Sequence, residues 1–112
     1  MSQTKRELGR ELEEYVAHLF KEFYEYSRPT KASGAKGEAG DIQQPWFICE
    51  CKNRTTENIT IKEKVWNKLC NEIPLSSKRL PLYILRNKNK KQWAVLQLED
   101  FIRIFKKSLE NE

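Results

Sequence analysis

The sequence predicts a single α/β domain in which a central mixed β-sheet is flanked by helices. The chain has 112 residues, which is enough for one hydrophobic core but too short for two domains. Amphipathic helical segments alternate along it with short, apolar, strand-like runs. A short basic turn joins two of these runs and predicts a β-hairpin within the sheet.

The first element is an amphipathic helix from Glu7 to about Tyr26. Its apolar residues recur at steps of three and four: Leu8, Leu12, Tyr15, Val16, Leu19 and Phe23. Pro29 helps to end it, because the residue before a proline is disfavoured in the helical conformation. The next segment, TKASGAKGEAG at 30–40, is small, polar and glycine-rich. It predicts either a flexible surface loop or a loop that contacts a phosphate closely.

The second element is a short aromatic and apolar strand from Trp46 to Lys52, which begins after the Gln44-Pro45 turn. Side chains alternate between the two faces of a strand. One face therefore carries Trp46, Ile48, Glu50 and Lys52, and the other carries Phe47, Cys49 and Cys51. Asp41 can reach the Glu50 side if its short segment pairs with this strand as a hairpin.

A second helix follows, and its N-terminus has a capping signature. Thr60 is the predicted cap, and Glu63, three residues on, completes a capping box. Pro74 marks the end of the helix. The predicted buried stripe consists of Ile61, Val65, Trp66, Leu69 and Ile73.

Two strands and a helix complete the domain. The strands run from Leu82 to Arg86 and from Trp93 to Leu98, and the turn NKNKK at 87–91 joins them. The closing helix begins at about Glu99. Its predicted stripe consists of Phe101, Ile102, Ile104, Phe105 and Leu109.

The charge of the chain indicates a polyanionic partner. The net charge is +5 and the isoelectric point is near 9.2, and basic residues near phosphates gain affinity by releasing counterions. A basic protein that merely tolerates its charge is the alternative. Basic residues without acidic neighbours fall in two stretches, Arg28, Lys31 and Lys36, and then Lys78, Arg79, Arg86, Lys88, Lys90 and Lys91.

Location and redox state follow from what the sequence lacks. It shows no signal-peptide pattern and no apolar run near about 18 residues. We therefore expect a cytoplasmic protein, of a cell or of a virus-infected host, that does not bind membranes. The three cysteines, an odd number, argue against a disulfide framework. With a single histidine available, reduced core thiols are favoured over a zinc site.

The acidic residues around the central strand suggest a metal site. Asp41 and Glu50 would converge with Lys52 on one side of the strand. Two carboxylates suit Mg²⁺, which keeps several waters and binds phosphate oxygens. A bound metal can polarise a phosphoryl group and activate a water that a nearby lysine orients, as phosphodiester hydrolysis requires. The alternative is an ordinary Glu/Lys surface on a half-buried strand.

The array of a helix glutamate, the Gly-Asp of AGD at 39–41 and the E-C-K of 50–52 resembles the PD-(D/E)XK nuclease superfamily. It is most similar to the Holliday junction resolvases of archaea and phages. The resemblance runs from Leu8 to Phe105 and implies a restriction-endonuclease-like fold, with residues 1–112 forming one nuclease domain. Glycine replaces the proline of the family motif before Asp41, as is common in the resolvase-like branch.

The resemblance implies roles for the site residues. Asp41 and Glu50 would bind Mg²⁺, for which Mn²⁺ substitutes, and Lys52 would position or activate the attacking water. A glutamate on the first helix would assist the metal through water. The G-x-x-x-E pattern fits Glu13, and Glu11 remains the reserve, because both flank the apolar stripe.

The resemblance also implies branched DNA as the substrate and a homodimer, since two symmetric incisions need two active sites related by a two-fold axis. The expected DNA contacts are Ser33, Lys36, Lys62, Arg86, Lys88, Lys90 and Lys91.

Other functions remain open at this point. The same chemistry could nick, repair or restrict linear duplex DNA. A non-catalytic nucleic-acid-binding module could share the fold. RNA is the least supported substrate, because Trp46, Trp66 and Trp93 lie in apolar patterns and are expected in the core rather than as stacking platforms.

Overall fold

A computed structural model describes residues 3–30 and 41–110 of the chain. Most of the glycine-rich segment, including Ser33 and Lys36, lies outside the described residues. The elements are, in chain order, α1 (Lys5–Lys21), β1 (Arg28–Pro29), β2 (Ile42–Gln43), β3 (Phe47–Asn53), α2 (Glu63–Asn71), β4 (Leu80–Arg86), β5 (Gln92–Val95) and α3 (Leu98–Glu110).

The central sheet has three strands in the order β3-β4-β5. β3 and β4 are parallel, with Glu50 beside Tyr83, and β4 and β5 form the expected antiparallel hairpin. The predicted mixed sheet flanked by helices is therefore confirmed. A separate two-stranded sheet of β1 and β2 was not predicted, and in it Arg28 pairs with Gln43. It holds the residues on either side of the glycine-rich segment together.

α1 covers one face of the sheet and forms the core with it. Buried residues of this layer come from α1, β2, β3 and β4: Leu12, Val16, Ala17, Ile42, Cys49, Cys51, Leu82 and Ile84. The helix begins earlier than expected, because Thr4 caps it in a reciprocal capping box with Glu7. It also ends earlier, at Lys21. The chain turns there, and Phe23 and Tyr24 pack against Trp46, with ring centroids 5.5 and 5.3 Å away.

α2 begins two residues later than its capping signature predicts. Its cap is Lys62, in an extended conformation with φ −87° and ψ 125° and without a side-chain capping bond. Thr60 lies two residues before this cap and cannot reach the free N–H groups of the first turn, so the predicted capping box is wrong. The helix ends at Asn71, ahead of Pro74 as expected.

The turn between β4 and β5 is organised by the buried Asn87. Its Oδ1 accepts the N–H groups of Asn89 and Lys91, each at 3.0 Å, and its Nδ2 donates to the carbonyl of Glu57 at 3.0 Å. Lys90 adopts the left-handed conformation with φ 63°, which completes the tight reversal. The hairpin turn is therefore rigidly tied to the segment that follows β3.

Three expectations about burial are wrong. Ile61, expected in the buried stripe of α2, is 50% exposed and lies before the helix begins. The apolar stripe of α3 is exposed, and Asp100 is the buried residue of that helix. Trp46 and Trp93 are 43% and 45% exposed rather than in the core, while Trp66 is half-buried. Trp46 lies just before β3, and Trp93 lies in the edge strand β5. No helix within the described ranges has the length and apolar character needed to cross a membrane.

Candidate functional site

Strand alternation in β3 separates the thiols from the charged residues. Cys49 and Cys51 are buried, unbridged and packed in the core under α1. Burial raises the pKa of Cys49 to about 12 and that of Cys51 well above its ordinary value, so both stay protonated at neutral pH. Glu50 and Lys52 project from the opposite face into a cleft. Both thiols therefore belong to the core, and Cys51 also borders the cleft.

Asp41 is held against β3 by its own backbone and side chain. Its N–H donates to the carbonyl of Cys49 at 2.7 Å, and its Oδ2 accepts the N–H of Cys51 at 2.8 Å. Its carbonyl accepts the N–H of Thr30 at 3.0 Å. Asp41 reaches the Glu50 side as expected, although β2 pairs with β1 rather than with β3. These contacts fix a buried carboxylate at one precise point of the cleft wall.

Gln44 stabilises the turn between Asp41 and β3, a role that was not predicted from the sequence. It is buried, and its Oε1 accepts the N–H groups of Trp46 and Phe47 at 2.7 and 2.8 Å. Its Nε2 donates back to the carbonyl of Phe47. A side-chain amide that satisfies three backbone groups holds the turn in one conformation.

Glu50 and Lys52 form the next part of the site. Lys52 Nζ lies 3.7 Å from Glu50 Oε1, and the side chain of Glu50 is only 17% exposed. Burial, followed by the negative charge of Asp41 and a hydrogen bond to it, raises the pKa of Glu50 to about 8. Two carboxylates therefore lie close together beside one lysine, in an environment that disfavours the charge of Glu50.

The geometry distinguishes Glu13 from Glu11. Glu13 is half-buried in the cleft, and burial, with a further contribution from the charge of Asp41, raises its pKa to about 7. Glu11 instead lies 3.3 Å from Arg86 and accepts a hydrogen bond from Gln3. Gly9, one turn before Glu13, also lines the cleft, and its lack of a side chain keeps the approach to Glu13 open. Glu13 is the helix carboxylate that meets Asp41.

The cleft has a volume of about 480 Å³ and an acidic floor with a basic rim. Four basic residues that the sequence reasoning did not single out line it: Lys5, Arg6, Arg54 and Lys68. The spacing of these residues in the sequence could have indicated that they line the cleft. Arg6, Gly9 and Glu13 share one helix face at steps of three and four, and Arg54 follows Lys52 by two along the strand direction.

The predicted DNA-contacting residues divide into three groups. Ser33 and Lys36 lie outside the described residues. Arg86 is buried, paired with Glu11, hydrogen-bonded to Gln92 and stacked over Tyr15 at 5.0 Å. It serves the packing of α1 on the sheet and does not line the cleft, so its expected DNA contact does not fit its position.

The remaining predicted contacts are exposed. Lys62 lies at the N-terminus of α2, and Lys88, Lys90 and Lys91 lie on the hairpin turn. None of these four lines the described part of the cleft. The turn nevertheless lies beside its edge, because the N–H of Lys88 donates to the carbonyl of Thr56 at 3.0 Å, next to the cleft residue Thr55.

The donor set fits a hard divalent cation. Glu13, Asp41 and Glu50 supply only carboxylate oxygens, the ligands that Mg²⁺ and Mn²⁺ prefer. Their mutual repulsion and burial are what a cation between them would relieve. Within residues 3–30 and 41–110, however, no three acidic, histidine or cysteine side chains already stand close enough together to hold an ion. The carboxylates would have to come closer together to hold one.

No protein-family model, curated protein or solved structure matches the chain.

Proposed function

We propose that the chain is a metal-dependent endonuclease that hydrolyses phosphodiester bonds in branched DNA, most specifically as a Holliday junction resolvase. The observation that supports this most is the meeting of Glu13, Asp41, Glu50 and Lys52 in one cleft, from three different segments of the chain. A protein that only binds polyanions gains nothing from buried carboxylates at the centre of a basic rim. In this proposal the fold is restriction-endonuclease-like, and the protein acts in the cytoplasm.

The residues of the cleft divide the work of cleavage between them. Asp41, fixed by β3 on both its backbone and its side chain, and Glu50 would hold Mg²⁺, with Glu13 contributing from α1. The bound cation would polarise the scissile phosphate and stabilise the leaving oxygen. Lys52 would orient the attacking water, because its Nζ lies beside Glu50 and its side chain is still 36% exposed. Loading the cation requires Glu13 and Glu50 to release protons.

The basic residues supply affinity for the DNA backbone. Lys5, Arg6, Arg54 and Lys68 on the cleft rim would contact phosphates on either side of the scissile bond. The lysines of the hairpin turn extend this surface past Thr55. Phosphate contacts of this kind read shape rather than sequence, which suits a four-way junction.

Variants of the two metal-binding carboxylates test the proposal residue by residue. Asp41→Asn and Glu50→Gln are expected to lower Mg²⁺-dependent cutting of a four-way junction by at least about 100-fold. Junction binding in EDTA should stay equal or become tighter, because neither substitution adds negative charge near phosphate. Glu14→Gln is the matched control, since Glu14 is exposed and pairs with Arg10 at 2.8 Å. Cleavage that survives both substitutions would exclude this site as the catalytic centre.

A further inference from the structure

The exposed apolar face of α3 is turned away from the body of its own protomer. At about 100° per residue, Phe105, Ile102 and Leu109 lie about 140–180° around the helix from the buried Asp100. Five large side chains form this stripe, each between 46% and 73% exposed: Leu98, Phe101, Ile102, Phe105 and Leu109. Within residues 3–30 and 41–110, no other element of the chain covers this stripe.

A complementary groove lies between α1 and the edge strand β5. It has a volume of about 410 Å³ and a floor of Leu82 and Ile84. Its walls carry Tyr15, Leu19, Phe23 and Trp93, which are 40–66% exposed. Among the described residues no part of α3 lines this groove, because α3 runs beside the Ser77–Leu80 segment instead.

We propose that α3 of each copy docks into the α1–β5 groove of a second copy, giving a two-fold symmetric dimer. Each chain carries both halves of the contact, so a reciprocal exchange buries every apolar side chain of the stripe and of the groove. The stripe has the i, i+3/i+4, i+7 spacing with which an amphipathic helix fills a groove. The interface depends on the proposed function only for its role in pairing two active sites.

The area matches what a stable dimer needs. Aromatic side chains bury about 150–250 Å² each when fully covered. Five of these nine residues are aromatic and four are Leu or Ile, and the nine are roughly half exposed in one protomer. Covering them would remove roughly 700–900 Å² from water on each copy, close to the about 800 Å² per partner of a standard specific interface. The aromatic content, with Phe101, Phe105, Tyr15, Phe23 and Trp93, is typical of interface centres.

Charge favours the same partner. Lys106 and Lys107 are exposed in the later turns of α3, and Glu22 and Glu25 are exposed on either side of Phe23 at one end of the groove. Lys21 beside Glu22 and Glu110 beside Leu109 are exposed as well, so each surface carries charges of both signs that the other copy can pair.

Sedimentation equilibrium of the full chain, in EDTA and without DNA, tests the interface. Wild type is expected to be a dimer at roughly 10 μM. Ile102→Glu on α3 and Leu19→Glu on the groove should each raise the dimer dissociation constant at least about 100-fold, because a carboxylate would be buried unpaired. Ile61→Glu is the matched control, an equally exposed isoleucine outside both surfaces, and it should remain dimeric.

Mixing the two disrupted variants tests the exchange itself. The Ile102→Glu copy keeps an intact groove and the Leu19→Glu copy keeps an intact helix, so a heterodimer with one good contact should form on mixing. Its absence would overturn the reciprocal arrangement. Should either variant lose the wild-type circular dichroism spectrum, Ile102→Ser and Leu19→Ser replace them. A wild type that is monomeric up to roughly 100 μM, or disrupted variants that dimerise like wild type, would overturn the interface.

Failure of the interface and failure of the proposed function give different results. A monomeric wild type that cuts DNA with Mg²⁺ would overturn the dimer and leave the nuclease proposal standing. A dimer that forms the expected heterodimer on mixing but cuts no DNA would support the interface and overturn the nuclease proposal.

Discussion

Replacing Glu50 by glutamine is expected to stabilise the metal-free protein at alkaline pH. Glu50 is largely buried beside Asp41, and its pKa rises from the ordinary 4.5 to about 8. Below pH 4.5 the carboxyl is protonated in both the folded and the unfolded state, so it does not change the free energy of unfolding. As the pH rises the unfolded chain loses this proton first, so the stability of the wild type falls through the window from 4.5 to about 8.

The size of the effect follows from that shift. Each pKa unit corresponds to about 1.4 kcal/mol, which sets an upper limit of about 5 kcal/mol above pH 8. The side chain keeps 17% exposure and has Lys52 Nζ at 3.7 Å, so we expect screening to leave roughly 1–3 kcal/mol. Glutamine removes the charge, keeps the shape and can donate a hydrogen bond to Asp41.

Urea unfolding in EDTA, followed by circular dichroism, measures this difference. At about pH 8.5 the Glu50→Gln variant should be roughly 1–3 kcal/mol more stable than wild type, and at about pH 5 the gap should nearly close. Glu14→Gln, at an exposed position on α1, should show no such pH dependence. A Glu50→Gln variant that is no more stable than wild type at about pH 8.5, or that gains equally at both pH values, would refute the proposed crowding of carboxylates.

Three further predictions concern the site and its support. Glu13→Gln should lower Mg²⁺-dependent cleavage by at least about 10-fold. Glu11→Gln should leave cleavage unchanged but lower the free energy of unfolding in urea by about 1 kcal/mol, because Arg86 loses its carboxylate partner. The reverse pattern would contradict the choice of Glu13 as the helix carboxylate of the site. Cleavage rates in Mg²⁺ should rise from about pH 6 to about pH 8.5, because Glu13 and Glu50, with pKa values of about 7 and about 8, lose their protons to solvent over this range and can then bind the cation. A flat profile would contradict this. Asn87→Ala should cost about 2 kcal/mol in urea unfolding, because three backbone groups lose their partner; a loss below about 0.5 kcal/mol would show that the hairpin turn holds without it.

The parts of the fold that sequence reasoning predicted well depend on local periodicity. The alternation along β3 placed Cys49 and Cys51 in the core and Glu50 in the cleft, as the structure shows. The β4–β5 hairpin was likewise predictable from its two apolar runs and polar turn. Such patterns are determined by the nearest neighbours of each residue, which the sequence displays directly.

The parts that failed depend on tertiary contacts. An apolar stripe on a helix indicates that something covers it, but not whether the cover comes from the same chain, and α3 is exposed for that reason. Arg86 looked like one of several basic residues of the hairpin, yet it is buried against Glu11 and Tyr15 of α1. Partners so distant in sequence leave no local signal.

The candidate site was predictable in its centre and not in its surroundings. Asp41, Glu50 and Lys52 follow from strand geometry, and the preference for Glu13 over Glu11 became decisive only when the structure showed Arg86 beside Glu11. The basic rim comes from the start of α1, the end of β3 and α2. Only the fold brings these three segments together.

Cleavage of a panel of DNA structures tests the central claim most directly. Wild type would be incubated with Mg²⁺ or Mn²⁺ and four-way junction, flap, nicked and linear duplexes of equal length. Metal-dependent cutting is expected to be fastest on the four-way junction and absent in EDTA. Equal rates on junction and linear duplex would contradict a resolvase, and no cutting of any structure with either metal would contradict a nuclease altogether.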